Sequence, residues 1–524
     1  MERYKKANEG IHAPEELKKK AAEEPPAAKR PHRAAWLGAA AAVLAVVLLA
    51  GIVPRLGGML SGAPALGGAP EAPGDAPMNE QVAPGGGPAS APQAGEPGAG
   101  FAGAVPLAAA VYPETTPCPR EEDYLTAGGE VDYAAYDAAY YVWREDVRAR
   151  QALAPAEDGL APFCAAALPE FLGNSGGKNR VFSPLNVYLA LSMLAETAGG
   201  NSRQQLLDLL DADDVETLRQ RASGLWNANY RDDGAETSLL AASLWLNEDL
   251  AGAYRRDTLD TLAKNYYASA FSGEMGSEDY NKALRSWINQ QTGGLLKDAS
   301  GKLALDPETV LALVTTIRFK ARWTDEFSPE QNTEDPFHAP DGDVTATYLH
   351  QLDMGSYYRG EGFGAVEKPF GEGGSMWFLL PDEGTTVDGL LTSGAAAEFL
   401  TADRTAWTDQ VMIDLSVPKF DVASDLDLID GLKNLGVTDV FDPGTADLSA
   451  LADLPGLFVS TAEHAARVTL DEEGVEAAAY TLIMANESAP WADETIDFTL
   501  DRPFLFAIES ETGQLLFVGV VNHP

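Results

Sequence analysis

Residues 472–483 carry the most specific chemical pattern in the chain. Val475, Ala477, Ala479, Thr481 and Ile483 share one face of an extended backbone, and Glu476, Ala478, Tyr480 and Leu482 share the other. The first face is apolar or near-neutral and mostly small. Such a segment can slide between two existing strands and bury that face without overpacking. Gly474 stands at its start and gives a pivot the backbone freedom it needs. Catalytic groups are scarce by comparison. The six histidines are His12, His32, His338, His350, His464 and His523, and no H-E-x-x-H pair or phosphate-binding P-loop occurs. The two cysteines, Cys118 and Cys164, fit no zinc spacing. One bridge between them and two unrelated free thiols are both open.

The elements that must position this segment are mixed. Asn186 to Glu196 and Ser202 to Leu210 have the apolar spacing of helices. Val411, Ile413, Leu415 and Val417 alternate with more polar neighbours, as in a half-buried strand. Phe498 to Leu500, Phe504 to Ile508 and Leu515 to Val521 predict three short strands. Strict βαβ alternation is absent, so the fold class is α+β. Upstream, Tyr133, Tyr136, Tyr140, Trp143 and Val147 recur at spacings of three and four, which predicts a helix (within an extension, 121–160) packing on the main domain.

Residues 34–53 are twenty in a row without a charge, about the length that spans a bilayer as a helix. Lys18, Lys19, Lys20, Lys29, Arg30 and Arg33 precede them and only Arg55 follows closely. This asymmetry places 1–33 in the cytoplasm and the rest outside. The alternative is a cleaved signal peptide, whose apolar region is usually ~7–15 residues. Residues 54–120 are rich in Gly, Pro and Ala, which predicts a disordered stalk before a domain at 121–524. The chain carries a formal net charge of −42 in 524 residues, against +3 in its first 33. So acidic a body repels nucleic acid and anionic membrane surfaces.

Several segments between Phe163 and Pro524 resemble serpin motifs. Asn179-Arg180-Val181-Phe182-Ser183-Pro184-Leu185 is similar to the strand entering that family's second helix. Trp287 with Thr292 and Gly294 resembles W-x-x-x-x-T-x-G, and Phe319-Lys320-Ala321-Arg322-Trp323 resembles F-K-G-x-W. Val417-Pro418-Lys419-Phe420 resembles L-P-K-F. Arg502 to Phe506 and Phe517 to Asn522 resemble the last two core strands. Glu472-Glu473-Gly474-Val475-Glu476-Ala477-Ala478-Ala479-Tyr480-Thr481 resembles the hinge of inhibitory serpins, with Val475 where Thr is more usual.

The resemblance implies three β-sheets, about eight or nine helices and an exposed reactive-centre loop. It implies a suicide-substrate inhibitor, not an enzyme: a serine protease attacks the loop, forms an acyl-enzyme, and is stranded when the hinge inserts as a strand. Counting from Glu472 puts the reactive bond at Ser488–Ala489, with Met484–Ala485 the second choice; counting back from Pro503 gives Ala492–Asp493. From Glu472 to Asp501 there is no Arg or Lys, so elastase-, subtilisin- or chymotrypsin-like proteases fit better than trypsin-like ones. His464 matches the histidine beneath the sheet opening. Ser183 matches one of its partners, while Asn186 stands where Ser is usual and Thr315 where Asn is usual. Lys419 and Glu472 match an ion pair at the top of the large sheet, near Trp323. No cofactor, metal or glycosaminoglycan site is indicated, and the expected state is a monomer. The competing expectation is a non-inhibitory serpin, a surface binding module; the alternating small hinge argues against it. The anchor, acidic charge and few cysteines suggest a bacterial surface.

Overall fold

The computed structural model describes residues 101–524 apart from 111, 298–302, 308, 372, 403–409, 455, 461 and 476–494. The proposed membrane segment, the hinge from Glu476 to Thr481 and both choices of reactive bond lie outside the described residues.

The strands are β1 (Val105–Ala108), β2 (Arg180–Phe182), β3 (Arg231–Asp232), β4 (Thr237–Asn247), β5 (Ala268–Gly273), β6 (Leu311–Arg322), β7 (Thr333–Ala339), β8 (Gly342–Gly360), β9 (Phe363–Pro369), β10 (Ser375–Pro381), β11 (Gln410–Pro418), β12 (Phe420–Asp427), β13 (Glu463–Leu470), β14 (Gly474–Val475), β15 (Thr495–Thr499), β16 (Phe504–Glu509) and β17 (Leu515–Val521). Ten α-helices occur among the described residues: α1 (Tyr133–Gln151), α2 (Leu160–Leu172), α3 (Pro184–Thr197), α4 (Gly200–Leu209), α5 (Val215–Asn229), α6 (Arg256–Asn265), α7 (Glu278–Gln291), α8 (Val387–Ser393), α9 (Ala395–Thr401) and α10 (Ile429–Asn434).

One large sheet runs β1-β5-β4-β6-β14-β13-β12, with β3 paired to β4. A second runs β15-β11-β8-β9-β10-β16-β17-β2, with β7 paired to β8. It is two sheets joined by one strand. Residues 342–356 of β8 pair with β7 and β11, and Tyr357 to Gly360 pair with β9. The resulting three sheets with helices on their flanks match the α+β expectation.

Local chemistry explains the central elements. α3 begins on Ser183, whose hydroxyl accepts from the Asn186 amide, and Pro184 takes the first helical position where its missing N–H is no loss. Every residue of α3 is buried, so it serves as a core helix with no solvent face. β4 is likewise buried along nearly its whole length, which is why its sequence shows no clean alternation. In β13 burial alternates: His464, Ala466, Val468 and Leu470 face the core, and Ala465, Arg467 and Thr469 face outward.

The N-terminal boundary differs from the composition-based expectation. Residues 101–120 do not continue the stalk. Ala104 and Ala110 are buried, and β1 pairs antiparallel with β5 as the outermost strand of the large sheet. Tyr112 packs 5.4 Å from Trp226 and 5.3 Å from Tyr230. The reason is non-local: β5 would otherwise expose an unpaired edge, and a Gly/Ala/Pro segment supplies backbone partners for it. α1 forms as its stripe predicts. Trp143 and Val147 are buried and Tyr136 and Tyr140 half-buried, but Tyr133 is 57% exposed. Cys118 and Cys164 do not form a disulfide with one another.

Candidate functional site

The site is the turn joining β13 to β14 at one end of the large sheet. Asp471 starts it. Its carboxylate accepts from the amides of Glu473 (2.9 Å) and Gly474 (3.1 Å), an Asx-type closure that needs no positive φ. The chain then reverses into β14. Val475 pairs antiparallel with Leu470 on one side and with Ala321 on the other, and Gly474 pairs with Arg322. Two residues of the alternating segment are thus already a strand between β6 and β13. Among the described residues, β14 is the only link between those two strands.

Gly474 owes its place to proximity. It lies in extended backbone, and a β-carbon there would overlap the Ala321 carbonyl oxygen. The expected pivot is in fact a close-approach glycine. Val475 is buried on the core side with Leu470 and Ala321.

The turn is fastened from three directions. The Phe327 amide donates to the Glu472 carbonyl (3.0 Å) and the Trp323 amide to the Glu473 carbonyl (3.1 Å). The Trp323 indole donates to the Asp471 carbonyl at 3.1 Å, and its ring stacks on Phe370 with centroids 5.0 Å apart. The Lys419 ammonium lies 2.5 Å from Glu472 Oε1, and the Asn332 amide donates to the same oxygen at 2.6 Å. Partial burial pushes the Glu472 carboxyl up, but the hydrogen bonds from Lys419 and Asn332 outweigh it and hold it below the ordinary carboxylate range.

Farther along β13, His464 is fully buried, and burial pushes its pKa down to about 4. Its Nε2 accepts from the Ser183 amide at 3.0 Å, so the neutral ring carries its proton on Nδ1. The Ser183 hydroxyl donates to the Leu516 carbonyl at 2.6 Å. Asn186 and Thr315 come together elsewhere. Both line a cavity of about 10 Å³ with Trp226 and Tyr266, and among the described residues the Thr315 hydroxyl has no hydrogen-bond partner. The structure therefore joins Ser183 to His464 through backbone and sets Asn186 and Thr315 beside one another.

Lys368 gave no signal in the sequence. It is a lysine in β9 whose ammonium donates to the Asp325 carbonyl at 2.8 Å and to Gln351. It lies 4.3 Å from the Phe327 ring and 5.3 Å from the Trp323 ring. Burial lowers its pKa to about 8. It props from behind the two residues that grip the turn, by cation–π contact. A second feature is cautionary: Gly173 to Gly177 spells G-x-S-x-G. The pentapeptide follows helix α2 and no strand, and the buried Ser175 hydroxyl accepts from Asn522 at 3.2 Å. It is not a nucleophile elbow. Among the described residues no group of three His, Cys, Asp or Glu could hold a metal ion. Among them, too, no helix is long and apolar enough to cross a membrane.

The fold is a large sheet with Gly474 and Val475 as a strand between β6 and β13, backed by helices and by two linked smaller sheets. The chain belongs to the serpin family: the family model described as serpin (serine protease inhibitor) matches residues 159–524. Serpin-ZXA of Oryza sativa subsp. japonica is 31% identical over 384 residues, covering 69% of this chain and 94% of that protein. The leukocyte elastase inhibitor of Homo sapiens is 31% identical over 364 residues, covering 67% and 94%. The solved structure of the thermophilic serpin tengpin in its native state aligns with a TM-score of 0.62 at 23% identity, over 70% of this chain and 93% of that one. Arabidopsis AtSerpin1 in its native stressed conformation aligns with a TM-score of 0.58 at 26% identity, over 72% and 99%. Family membership makes the chain a serpin and not an enzyme.

Proposed function

We propose that this chain is a suicide-substrate inhibitor of serine proteases. The observation that carries the reading is β14: Gly474 and Val475 stand between β6 and β13, paired on both sides. Continuing the alternation from Val475 puts Ala477, Ala479 and Thr481 on the core side and Glu476, Ala478 and Tyr480 outward. The small inward face meets no obstacle of size, and each added residue gains ladder hydrogen bonds on two sides.

The chemistry belongs to the protease. Its serine oxygen attacks the carbonyl carbon of Ser488, the bond to Ala489 nitrogen breaks, and that nitrogen takes the proton. The acyl ester stays on the enzyme while the freed hinge enters the sheet. Displacement of the ester from the oxyanion hole then slows its hydrolysis. Met484–Ala485 is the second choice of bond. The absence of Arg and Lys from Glu472 to Asp501 favours elastase-, subtilisin- or chymotrypsin-like targets. The leukocyte elastase inhibitor among its relatives supports that direction. The apolar run at 34–53 supports a single-pass anchor that holds the serpin domain outside the cell, at a bacterial surface.

The test is to incubate the full chain with subtilisin and with elastase and to resolve the products on a denaturing gel. A covalent complex, with mass spectrometry placing the cut at Ser488 or Met484, supports the proposal. Clean cleavage with the protease still active sinks it and favours a non-inhibitory binding module.

A further inference from the structure

We propose that the cavity where β8 leaves β11 for β9 is a binding site for a small zwitterion with an apolar side chain, a free α-amino acid of about the size of leucine. The inference goes beyond the inhibitor reading and does not depend on it.

The cavity measures about 180 Å³ and is lined by β8, β9 and β11. That exceeds the roughly 150 Å³ of apolar space that takes a benzene-sized molecule. Its walls follow from strand alternation. Ile413 and Leu415 share one face of β11 and pair in register with Asp353 and Gln351 of β8. Val366 and Lys368 share one face of β9. Val366, Ile413 and Leu415 are buried and supply an apolar side.

The charges divide by depth. Lys368 is 5% exposed. Both acceptors of its ammonium, the Asp325 carbonyl at 2.8 Å and the Gln351 side-chain oxygen, belong to residues that line the cavity, so the cationic head sits at the wall. These acceptors are neutral, and among the described residues no carboxylate forms an ion pair with Lys368. A buried charge in that condition is costly, and a carboxylate brought to it offsets the cost. Acidic side chains stand nearer solvent: Asp353 is exposed, and Asp325 and Glu367 are half-buried.

A simple anion must pass three carboxylates, and a simple cation must settle beside Lys368. A molecule with both charges meets neither obstacle. Asp353 stands two residues from Gln351 on the same face of β8, about 6.8 Å along the strand. In an α-amino acid the carboxylate and the amine are joined through one carbon. With a hydrogen bond of about 2.8 Å at each end, it bridges a gap of that size between Lys368 and Asp353. Its side chain is left against Val366, Ile413 and Leu415.

Calorimetric titration of the full chain with L-leucine tests this. The controls are isocaproate, which is leucine without its amine, and isoamylamine, which is leucine without its carboxylate. Leucine should bind about ten-fold tighter than either, the effect of one charge-assisted hydrogen bond. K368M, which keeps the apolar stem, and D353N should each weaken leucine about ten-fold. Melting curves identify a K368M chain that fails to fold, and D353N, at an exposed position, then carries the test. The second readout is acetylation of Lys368 by acetic anhydride near pH 8, followed by mass spectrometry. Burial holds the Lys368 pKa down at about 8, so much of the amine is neutral and reactive in the empty site. A bound carboxylate raises that pKa, and leucine should slow the labelling about five-fold. No leucine binding, binding that the folded variants leave unchanged, equal affinity for leucine and either control, or unprotected labelling of Lys368 overturns the site.

Discussion

Asp471 and Gly474 hold one another twice. The Asp471 amide donates to the Gly474 carbonyl at 3.1 Å, and the Gly474 amide returns the bond to the Asp471 carboxylate at 3.1 Å. That pair turns the chain from β13 into β14, so the fate of the segment beyond is set within four residues.

Replacing Gly474 by alanine tests the turn. The added carbon would overlap the Ala321 carbonyl, so β14 must leave or β6 must shift, at a cost of ~1–3 kcal/mol. G474A should be cut by subtilisin without trapping it. Its melting temperature should not rise after the cut, as that of the unaltered chain should.

The Lys419–Glu472 pair should matter through pH. The Glu472 carboxyl is held below its ordinary value in the folded chain. Its contribution to stability is therefore present above the unfolded carboxylate pKa, near ~4.3, and is lost as pH falls through the lower folded value. K419A should unfold more easily than the unaltered chain by about 1 kcal/mol at neutral pH. Urea titrations should show the gap closing in acid; a gap independent of pH would disprove the pairing.

His464 predicts a loss in the same direction, but at higher pH. Its folded pKa drops from an ordinary 6.5 to about 4, so below 6.5 the unfolded chain takes up a proton that the folded chain refuses. Stability should fall between pH 6.5 and pH 4 by up to about 3 kcal/mol. H464Q should lower stability at pH 7 and flatten the pH slope in that window. A slope that persists in H464Q would assign the effect to other groups.

Tyr112 should hold the extension down. Its ring packs on Trp226 and Tyr230, and Y112A should remove ~3 kcal/mol of local packing. Limited proteolysis should then cut residues 101–132 at least several-fold faster in Y112A, with the domain beyond 160 left intact. Equal cutting would mean that β1 alone fixes the segment.

The parts of the fold with a strong local signal were legible. α3 and α4 fall where the apolar spacing places them, β11 follows the alternation of Val411 to Val417, and β15 to β17 follow the tail. The strand at Gly474 and Val475 stands at the head of a segment whose alternation is a local property. What escaped depends on partners far away in sequence. β1 reads V-P-L-A inside a Gly/Pro/Ala tract, and only the open edge of β5 makes it a strand. Lys368 lies in a strand whose local sequence does not announce burial; the rings of Trp323 and Phe327 accommodate it. The anchoring of α1 needs Asp233 and Glu511, which stand 90 and 367 residues from Trp143 and Arg144. Gly474 was picked out for flexibility, while its surroundings require lack of bulk.

The outermost strand of the large sheet contains Pro106, which has no amide proton to offer. A sister molecule finds poor footing along that rim. The seam beside β14 is then the more hospitable place for a stray strand. Self-association in this protein should therefore favour the centre of the sheet over that rim, and conditions that loosen the centre should cost solubility.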